Sequence, residues 1–214
     1  REPHRPGSSS EVSGIGTVIR ELGGKASYRH LLAAATITAA VSYSVGQYLT
    51  SYLVRAHELP IDAAARYTGL ALGLSGGIGT FGGGYIAERL TRFGRSALGY
   101  VPMAGLLLAT PLYWTVFLAP SLGLVLAALL IGMIFHYLTV APMYAIGQGL
   151  ASPRSRATSV ALILLSLNLI GYGAGPPLAG FMSDYLAGWF APVGGSGAGE
   201  GFDGTSVVQT HMTN

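Results

Sequence analysis

A long run of uncharged residues most constrains how this chain can fold. Residues 96–153, 58 in all, lie between Arg95 and Arg154 and include no Asp, Glu, Lys or Arg. Shorter uncharged stretches flank the run on both sides. One membrane-spanning helix needs roughly 20 apolar residues, and an apolar block of this length would aggregate in water. The pattern therefore predicts an all-α polytopic membrane protein whose first partner is the lipid bilayer.

The composition supports this class. Hydrophobic residues make up 50% of the chain and charged residues 10%, and the mean hydropathy is +0.50. These values depart from soluble averages toward membrane proteins. The chain has no cysteine, so it offers no disulfide framework and no thiolate metal site. Basic residues lie at the ends of apolar blocks, where membrane topology explains them, so no nucleic-acid partner is predicted. No cofactor or metal is predicted either.

Charges and helix breakers divide the chain into five predicted transmembrane helices. Pro120 divides the long uncharged block, because proline lacks an amide proton and clashes with the preceding turn. The predicted spans are residues 29–53, 63–87, 97–119, 121–145 and 157–181. Residues 1–28 are predicted to form a cytoplasmic polar linker, 29–183 the transmembrane domain and 184–214 a disordered Gly-rich external tail. Within the linker, residues 11–25 fit either a short amphipathic helix or a flexible segment.

Lys and Arg are distributed unequally between alternate loops. Two of them, Arg55 and Arg66, fall on one side of the predicted membrane, and the other ten of the 12 fall on the opposite side. The positive-inside rule then places the N-terminus in the cytoplasm and the tail outside, in a plasma or bacterial inner membrane. Because the chain begins with Arg and shows no signal-peptide core, we expect it to be a fragment.

Small residues at helical spacing predict where helices pack closely. The second span carries Gly69, Gly73 and Gly77 at intervals of four, with Gly76, Gly79 and Gly83 beside them, and the fifth carries Gly171, Gly175 and Ala179. Such residues form grooves in which backbones approach each other in lipid. The alternative interpretation is that these helices slide or bend during a functional cycle.

A serine and a histidine in different spans give one enzymatic alternative. Gly73, Ser75 and Gly76 resemble the GxSG motif of rhomboid intramembrane proteases, and His136 lies two spans later. The two side chains are expected within roughly 5 Å in membrane height, at 1.5 Å of rise per residue. Rhomboids place glycine three residues after that histidine, where this chain has Thr139. An intramembrane serine protease therefore stays as the alternative.

Three segments carry a second resemblance. The sequence from Gly84 to Arg89, followed by Gly94 and Arg95, resembles the cytoplasmic motif of the major facilitator superfamily, although glutamate replaces the usual aspartate and the loop is longer. The fifth span, from Pro153 to Asp184, resembles the eleventh helix of spinster-like members. The segment from Tyr28 to Arg55 resembles their seventh helix.

This resemblance implies that the five spans correspond to helices seven to eleven, in the C-terminal half of a transporter. The first six helices and the twelfth would be missing, so the missing N-terminal half is an expected partner. The implied function is transport of a small or amphiphilic organic solute by alternating access, not an enzymatic reaction. Spinster-like relatives are associated with lysolipids and sphingolipids, which favours a lipid-like substrate. A membrane fragment that only assembles with a partner remains open.

Polar side chains within the spans are candidate substrate-binding residues. They are Tyr43 and Gln47 on the first span, His136 and Tyr137 on the fourth, and Asn168 on the fifth. Polar groups at this depth require partners, so they face a cavity or another helix. An interhelical hydrogen bond is the alternative for Tyr43, Gln47 and Asn168. His136 titrates near neutral pH, which suits substrate binding or proton handling, and a structural histidine is the alternative.

The cytoplasmic motif predicts a conformational gate. Its candidate residues are Gly84, Glu88, Arg89, Gly94 and Arg95. A carboxylate at a helix end interacts with the positive N-terminus of a neighbouring helix and with adjacent arginines. These contacts form a latch that exists in one conformational state and is broken in another. The alternative is that these arginines serve membrane topology alone.

Overall fold

The computed structural model describes residues 15–190, which form helices and short connections without any strand in that range, as predicted for an all-α protein. Two 3₁₀ segments, Thr91–Phe93 and Arg95–Gly99, join α3 to α4, and a π-helical segment, Leu167–Tyr172, joins α7 to α8. The helices are α1 Ile15–Gly24, α2 Ala26–His57, α3 Ile61–Leu90, α4 Tyr100–Leu118, α5 Leu122–Tyr137, α6 Val140–Leu150, α7 Arg156–Ser166 and α8 Gly173–Phe190.

The chain divides into two units, one ending at Pro177 and the other beginning at Leu178. The helix packing described below lies within the first unit. In the second unit, the described residues belong to the end of α8, where the Phe181 and Tyr185 rings stack with their centroids 6.5 Å apart. The tail was predicted to begin at residue 184, but α8 runs to Phe190. Residues 191–214 lie outside the described residues.

Three stretches of the described chain are long and apolar enough to cross a membrane: Ser96–Leu118, Leu122–Leu150 and Arg156–Leu186. The chain is thus an integral membrane protein. Helices α2 and α3, with 32 and 30 residues, exceed the length that a bilayer requires. Serine, threonine and tyrosine in α2 and glycine in α3 lower their hydropathy, so the five-span count stays a prediction.

Proline positions account for most helix ends. Helix α2 ends at His57, the following Glu58 adopts a left-handed conformation with φ of 52°, and Pro60 precedes the first turn of α3. Helix α4 ends and α5 begins on either side of Pro120, where the sequence predicted a break. Proline suits these places because it has no amide proton to donate to a preceding turn.

The predicted span over residues 121–145 overlaps the apolar stretch Leu122–Leu150, within which α5 ends at Tyr137 and α6 begins at Val140. Pro142 cannot donate to the Leu138 carbonyl, and its ring crowds that group. The amide of Thr139 donates to the His136 carbonyl at 3.1 Å, a tight three-residue turn. The regular helix is therefore interrupted in the middle of this apolar stretch by a tighter turn at Leu138 and Thr139, which we call the α5–α6 junction.

The last apolar stretch also differs from its prediction. Its predicted span, residues 157–181, contains an irregular segment, although α8 runs through both Pro176 and Pro177. The irregular segment lies one turn earlier, at Leu167–Tyr172, where the Gly173 amide reaches the Asn168 carbonyl in a π-type bond. Pro176 cannot donate to the Tyr172 carbonyl, and a wider turn just before that point accommodates the loss.

Helix α3 packs on α5 through a face of small residues. A Cβ atom on Gly79 would lie 2.6 Å from the Ile134 carbonyl oxygen, and one on Gly83 would strike the Leu138 carbonyl. Among the small residues that the sequence indicated, Gly79 and Gly83 lie in the contact, whereas added Cβ atoms on Gly69, Gly73 and Gly77 meet nothing within 4 Å. The buried face instead comprises Ala64, Thr68, Ala71, Ser75, Gly79, Gly83 and Ala87.

The glycines of the fifth stretch lie against α2. A Cβ atom on Gly171 would lie 2.9 Å from that of Ala39, and one on Gly175 would lie 2.7 Å from the Ala40 carbonyl oxygen. Backbone approach of this kind is a main source of helix association in lipid, because van der Waals packing replaces the hydrophobic effect there.

Helix α1 is amphipathic and packs against the bundle. Of the two alternatives predicted for residues 11–25, the amphipathic helix is therefore observed over Ile15–Gly24. Val18 and Leu22 are buried in a cluster with Tyr28, Ala151 and Ile163. Residues 1–14 lie outside the described residues.

Polar contacts join α1 to the connection between α6 and α7. The Lys25 ammonium donates to Glu21 Oε1 at 3.1 Å and to the Leu150 carbonyl at 2.8 Å, and the Ser155 hydroxyl donates to Glu21 Oε2 at 3.2 Å. The Lys25 hydrogen bond holds the pKa of the Glu21 carboxyl below its ordinary value. The carboxylate therefore stays ionised where α1 docks.

Candidate functional site

A cavity of about 210 Å³ lies within the first unit, between α2, the α5–α6 junction, α6 and α7. The α5–α6 junction, which sequence analysis did not predict, contributes Thr139 to its wall. The lining residues are Ala35, Thr38, Ala39, Ser42, Tyr43, His136, Tyr137, Thr139, Val140, Met143, Tyr144, Ile163 and Leu167.

Three of the five predicted substrate-binding residues line this cavity: Tyr43, His136 and Tyr137. The His136 side chain is buried, with its ring centroid 6.2 Å from that of Tyr113 and 6.1 Å from that of Tyr137 in edge-on arrangements. The Tyr43 ring meets Tyr172 edge-on, with centroids 5.0 Å apart. Aromatic rings thus fix the orientation of the polar groups at the cavity wall.

The other two predicted residues do not line the cavity. Gln47 is exposed on α2, one turn beyond Tyr43. The Asn168 amide donates to the Leu164 carbonyl of its own helix at 2.8 Å, so the hydrogen bond expected between helices is intrahelical in the structure. Its side chain is exposed where the π-helical segment begins.

Sequence analysis missed Thr139. It is 1% exposed, and its hydroxyl has no hydrogen-bond partner within residues 15–190. A threonine inside a helix normally donates to the carbonyl four residues earlier. Pro142, three residues later, was the available signal, because it predicts an interruption of the helix at this depth.

Thr38 and Ser42 were missed for a different reason. They lie one turn apart on α2, in a row of lining residues with Ala35 and Ala39. Spacings of three and four place all four on one helix face. This row of small and weakly polar residues is visible in the sequence, but the predicted binding residues of α2 were the larger polar side chains Tyr43 and Gln47.

The predicted gate residues lie on the surface at the end of α3. The Arg89 guanidinium lies over the Tyr85 ring, 4.7 Å from its centroid, and Arg92 Nε donates to the Arg89 carbonyl at 2.9 Å. Glu88 is exposed, and the ion pairs among the described residues, Lys25 with Glu21 and Arg66 with Asp62, do not include it.

Two glycines of the gate motif have structural roles. Gly94 separates the 3₁₀ segments with φ of 113° and ψ of 157°, a conformation that other residues rarely adopt. A Cβ atom on Gly84 would lie 3.5 Å from that of Ala141, an ordinary contact between α3 and α6. Arg95 begins the second 3₁₀ segment, and its side chain lies outside the described part of the chain.

Ser75, the serine of the protease alternative, is fully buried against α5. Its hydroxyl donates to the Leu130 carbonyl at 3.1 Å, while His136 lies at the far end of α5 between Tyr113 and Tyr137. A nucleophilic serine needs its base within hydrogen-bond reach. The observed bond instead fixes α3 on α5.

Two solved structures are similar to this chain. Both are of a bacterial homologue of the human lysosomal transporter spinster, in inward-facing unoccupied and inward-facing occupied conformations. The first is 33% identical with a TM-score of 0.76, over 88% of this chain and 41% of that chain. The second is 34% identical with a TM-score of 0.73, over 88% of this chain and 39% of that chain.

The sequence matches no protein-family model and no curated protein. The chain spans about two fifths of the length of the solved structures that it matches. Their identity and TM-scores confirm the resemblance that the motifs predicted. The chain is therefore spinster-like in sequence and in fold, and shares the helical architecture of the major facilitator superfamily.

Proposed function

We propose that this chain forms most of the C-terminal half of a spinster-like transporter, with α2 and α3 as helices seven and eight. The α4, α5–α6 and α7–α8 stretches would be helices nine, ten and eleven. The observation that carries this proposal is the cavity lined by Tyr43, His136 and Tyr137, in a chain that is 33% identical to a solved transporter over 88% of its length. In this assignment the chain is not an enzyme.

The proposed cargo is a small or amphiphilic organic molecule. No Asp, Glu, Lys or Arg is among the lining residues, which are aliphatic, aromatic or neutral polar. Such a wall binds an apolar chain or ring and orients it through a few hydrogen bonds. One of the solved relatives is in an occupied conformation, and we extend that property to this chain as part of the proposal.

The size of the cavity favours a site completed by a second helical bundle. Pockets for drug-sized ligands are about 300–1,000 Å³, and this one is about 210 Å³. In transporters built from repeats, the substrate binds at the interface of two halves, which rock to expose it to either side. We assign this half of the wall to Tyr43, His136 and Tyr137, with Gln47 and Asn168 as contacts toward the other half.

The gate belongs to the same proposal. Glu88 and Arg89, with Gly84 on the same helix and with Gly94 and Arg95 in the following connection, would close a cytoplasmic latch in an outward-facing state. Glu88 is exposed here and makes no ion pair with the described side chains, which do not include that of Arg95. Both solved relatives are inward-facing, the state in which such a latch is open.

Uptake by proteoliposomes tests the transport function. The full-length transporter, with its N-terminal half, should accumulate a fluorescent lysophospholipid, and His136→Ala should reduce the initial rate at least tenfold. Ile131→Ala on the same helix is the control, because Ile131 is exposed outside the cavity. Equal rates for both variants would remove His136 from the substrate path. Absence of uptake by correctly folded protein would favour a membrane fragment that serves assembly.

A further inference from the structure

Four exposed arginines surround α1. Arg20 lies on α1 itself, Arg29 lies in the first turns of α2, and Arg154 and Arg156 flank Ser155 where α7 begins. None of the four makes an ion pair with another residue in the part of the chain that the structure describes. We call these four residues the arginine surface.

Hydrogen bonds bring the four arginines to one end of the bundle. The Ser155 hydroxyl donates to Glu21 Oε2 at 3.2 Å, so the connection with the two flanking arginines touches the turn of α1 that carries Arg20. Arg29 Nη1 donates to the Gly23 carbonyl at 2.8 Å, which holds this guanidinium at the end of α1.

The charge of this region is strongly positive. Residues 15–30 and 150–160 carry five cations, the arginine surface and Lys25, and the single carboxylate of Glu21, so their net charge is +4. Lys25 pairs with that carboxylate, which leaves the four guanidinium groups without a counter-charge. At the opposite end of α2, residues 55–66 carry two cations and two carboxylates. The end of the bundle near α1 therefore attracts anions.

The arginine surface lies near the surface of the membrane. The apolar stretch Arg156–Leu186 is long enough to cross a bilayer, so its first residue lies near one membrane surface. The Tyr28 hydroxyl donates to the Ser159 carbonyl at 3.0 Å, which holds the start of α2 at a similar level. Lipid head groups are therefore the anions nearest to these arginines.

An apolar groove begins beside Arg156 on the outer side of α7. Its volume is about 380 Å³, and its lining residues are Ala157, Thr158, Ala161, Leu162 and Leu165. These residues span about 12 Å of the helix, at 1.5 Å of rise per residue. Ser159 and Ile163, the buried residues of α7, lie on the other helix face. A soluble anion makes no contact with such a groove, whereas the acyl chain of a lipid fills it.

We infer that the arginine surface binds the phosphate groups of anionic phospholipids, with one acyl chain in the groove on α7. Guanidinium groups suit this ligand because they form paired hydrogen bonds with phosphate oxygens and stay charged. Ile19, exposed beside Arg20, adds an apolar side chain for the same lipid layer. Zwitterionic lipids offer the same acyl chain without net charge, so charge decides which lipid binds. This inference is separate from the cavity and from transport.

Local fluorescence quenching by brominated lipids tests the inference. The chain, which has no cysteine, carries a bimane dye on Leu164→Cys, an exposed position one turn from Ala161 and outside the groove lining. In phosphatidylcholine bilayers, brominated phosphatidylglycerol should reach half-maximal quenching at a mole fraction at least threefold lower than brominated phosphatidylcholine does. At Leu118→Cys, exposed at the far end of α4, the two lipids should quench equally. Equal quenching by both lipids at Leu164→Cys would overturn the inference.

Salt and charge variants show whether the arginines select the lipid. The preference should disappear in about 1 M salt, where the Debye length is about 3 Å. It should also disappear when all four residues of the arginine surface are replaced by glutamine, and it should persist when all four are replaced by lysine. Arg55→Gln combined with Arg66→Gln is the control, because these arginines lie at the opposite end of the bundle.

Loss of helical circular dichroism in the fourfold glutamine variant would make Arg154→Gln combined with Arg156→Gln the deciding variant. This pair should lower the preference at least twofold. A preference that the correctly folded glutamine variants retain in full would show that other groups select the lipid, and the inference fails.

A bulky residue in the groove tests the acyl-chain position. Ala161→Phe fills the groove and should raise the half-maximal mole fraction of brominated phosphatidylglycerol at least threefold. Ala104→Phe, on an exposed face of α4, is the matched control and should leave it unchanged. Soluble glycerol phosphate should not reverse the quenching. Reversal by glycerol phosphate, or an unchanged value in Ala161→Phe, would identify a site for free anions and overturn the inference.

Discussion

At the scale of single residues, Gly79 and Gly83 have a role that their neighbours on α3 do not share. They let the backbone of α3 touch the end of α5, where any side chain would meet the Ile134 or Leu138 carbonyl. Gly73 lies on the same helix with nothing near it. Gly79 and Gly83 are four residues apart, and so are successive members of the set Gly69, Gly73 and Gly77. Spacing alone therefore does not distinguish packing glycines from exposed ones.

A pair of alanine substitutions separates packing glycines from exposed ones. Gly83→Ala places a methyl against the Leu138 backbone, and overpacking of this kind costs about 1–3 kcal/mol of unfolding free energy. Gly73→Ala should gain about 0.5–1 kcal/mol, because alanine is the better helix former. Unfolding in mixed micelles, followed by loss of helical circular dichroism, measures both. Equal free energies for the two variants would contradict the packing of α3 on α5.

At the scale of elements, α1 is held to the bundle by two kinds of contact. Leu22 is fully buried, and the Glu21 carboxylate receives hydrogen bonds from Lys25 and Ser155. The amphipathic pattern predicted the apolar side of this docking. It did not predict the polar side, because Ser155 is distant in the sequence and belongs to the connection before α7.

The docking of α1 should depend on pH through Glu21. Lys25, four residues along the chain, lowers the pKa of this carboxyl most, and the Ser155 hydroxyl lowers it further only when α1 is docked, so the ionised form favours docking. The stabilisation is present above the ordinary value of about 4.5 and is lost as the pH falls through the lowered pKa. A spin label on Thr17→Cys should gain mobility in that acidic range.

Two variants test the assignment to Glu21. Glu21→Gln should increase the mobility of the label at neutral pH and abolish its dependence on pH. Asp62→Asn is the control, because Asp62 pairs with Arg66 at the start of α3. A label that titrates identically in Glu21→Gln would assign the effect to another group.

At the scale of the whole molecule, the distribution of charge predicts the orientation in the membrane. Phe93 is exposed in the connection that contains Arg92, which should face the cytoplasm, and Ser121 is exposed in the connection at Pro120, which should face outward. Arginine-bearing loops remain on the cytoplasmic side because their translocation is unfavourable.

Single-cysteine labelling measures this orientation without background, because the chain contains no cysteine. In intact cells, an impermeant maleimide should modify Ser121→Cys and leave Phe93→Cys unmodified until the membrane is opened. The reverse pattern would invert the topology, and with it the cytoplasmic position of the proposed latch at Glu88 and Arg89.

Much of the architecture follows from local properties of the sequence. Long uncharged stretches predict helices that lie in lipid, because only hydrogen-bonded backbone is stable there. Pro120 predicts where one helix ends, because the missing amide proton is a property of the residue itself. The motifs around Glu88 and Pro153 predicted the spinster-like resemblance. His136 was a recognisable candidate because an ionisable group within an apolar helix is unusual.

Only the tertiary structure decided which polar groups share a cavity. Tyr43 and His136 are far apart in the sequence, and their meeting depends on the α5–α6 junction at Thr139 and on the close approach of α2 to Gly171 and Gly175. Gln47 and Asn168 are also polar residues within predicted spans, but they do not line the cavity. Sequence spacing gives the face of a helix, whereas the rotation and contact of that face are set by packing against its neighbours.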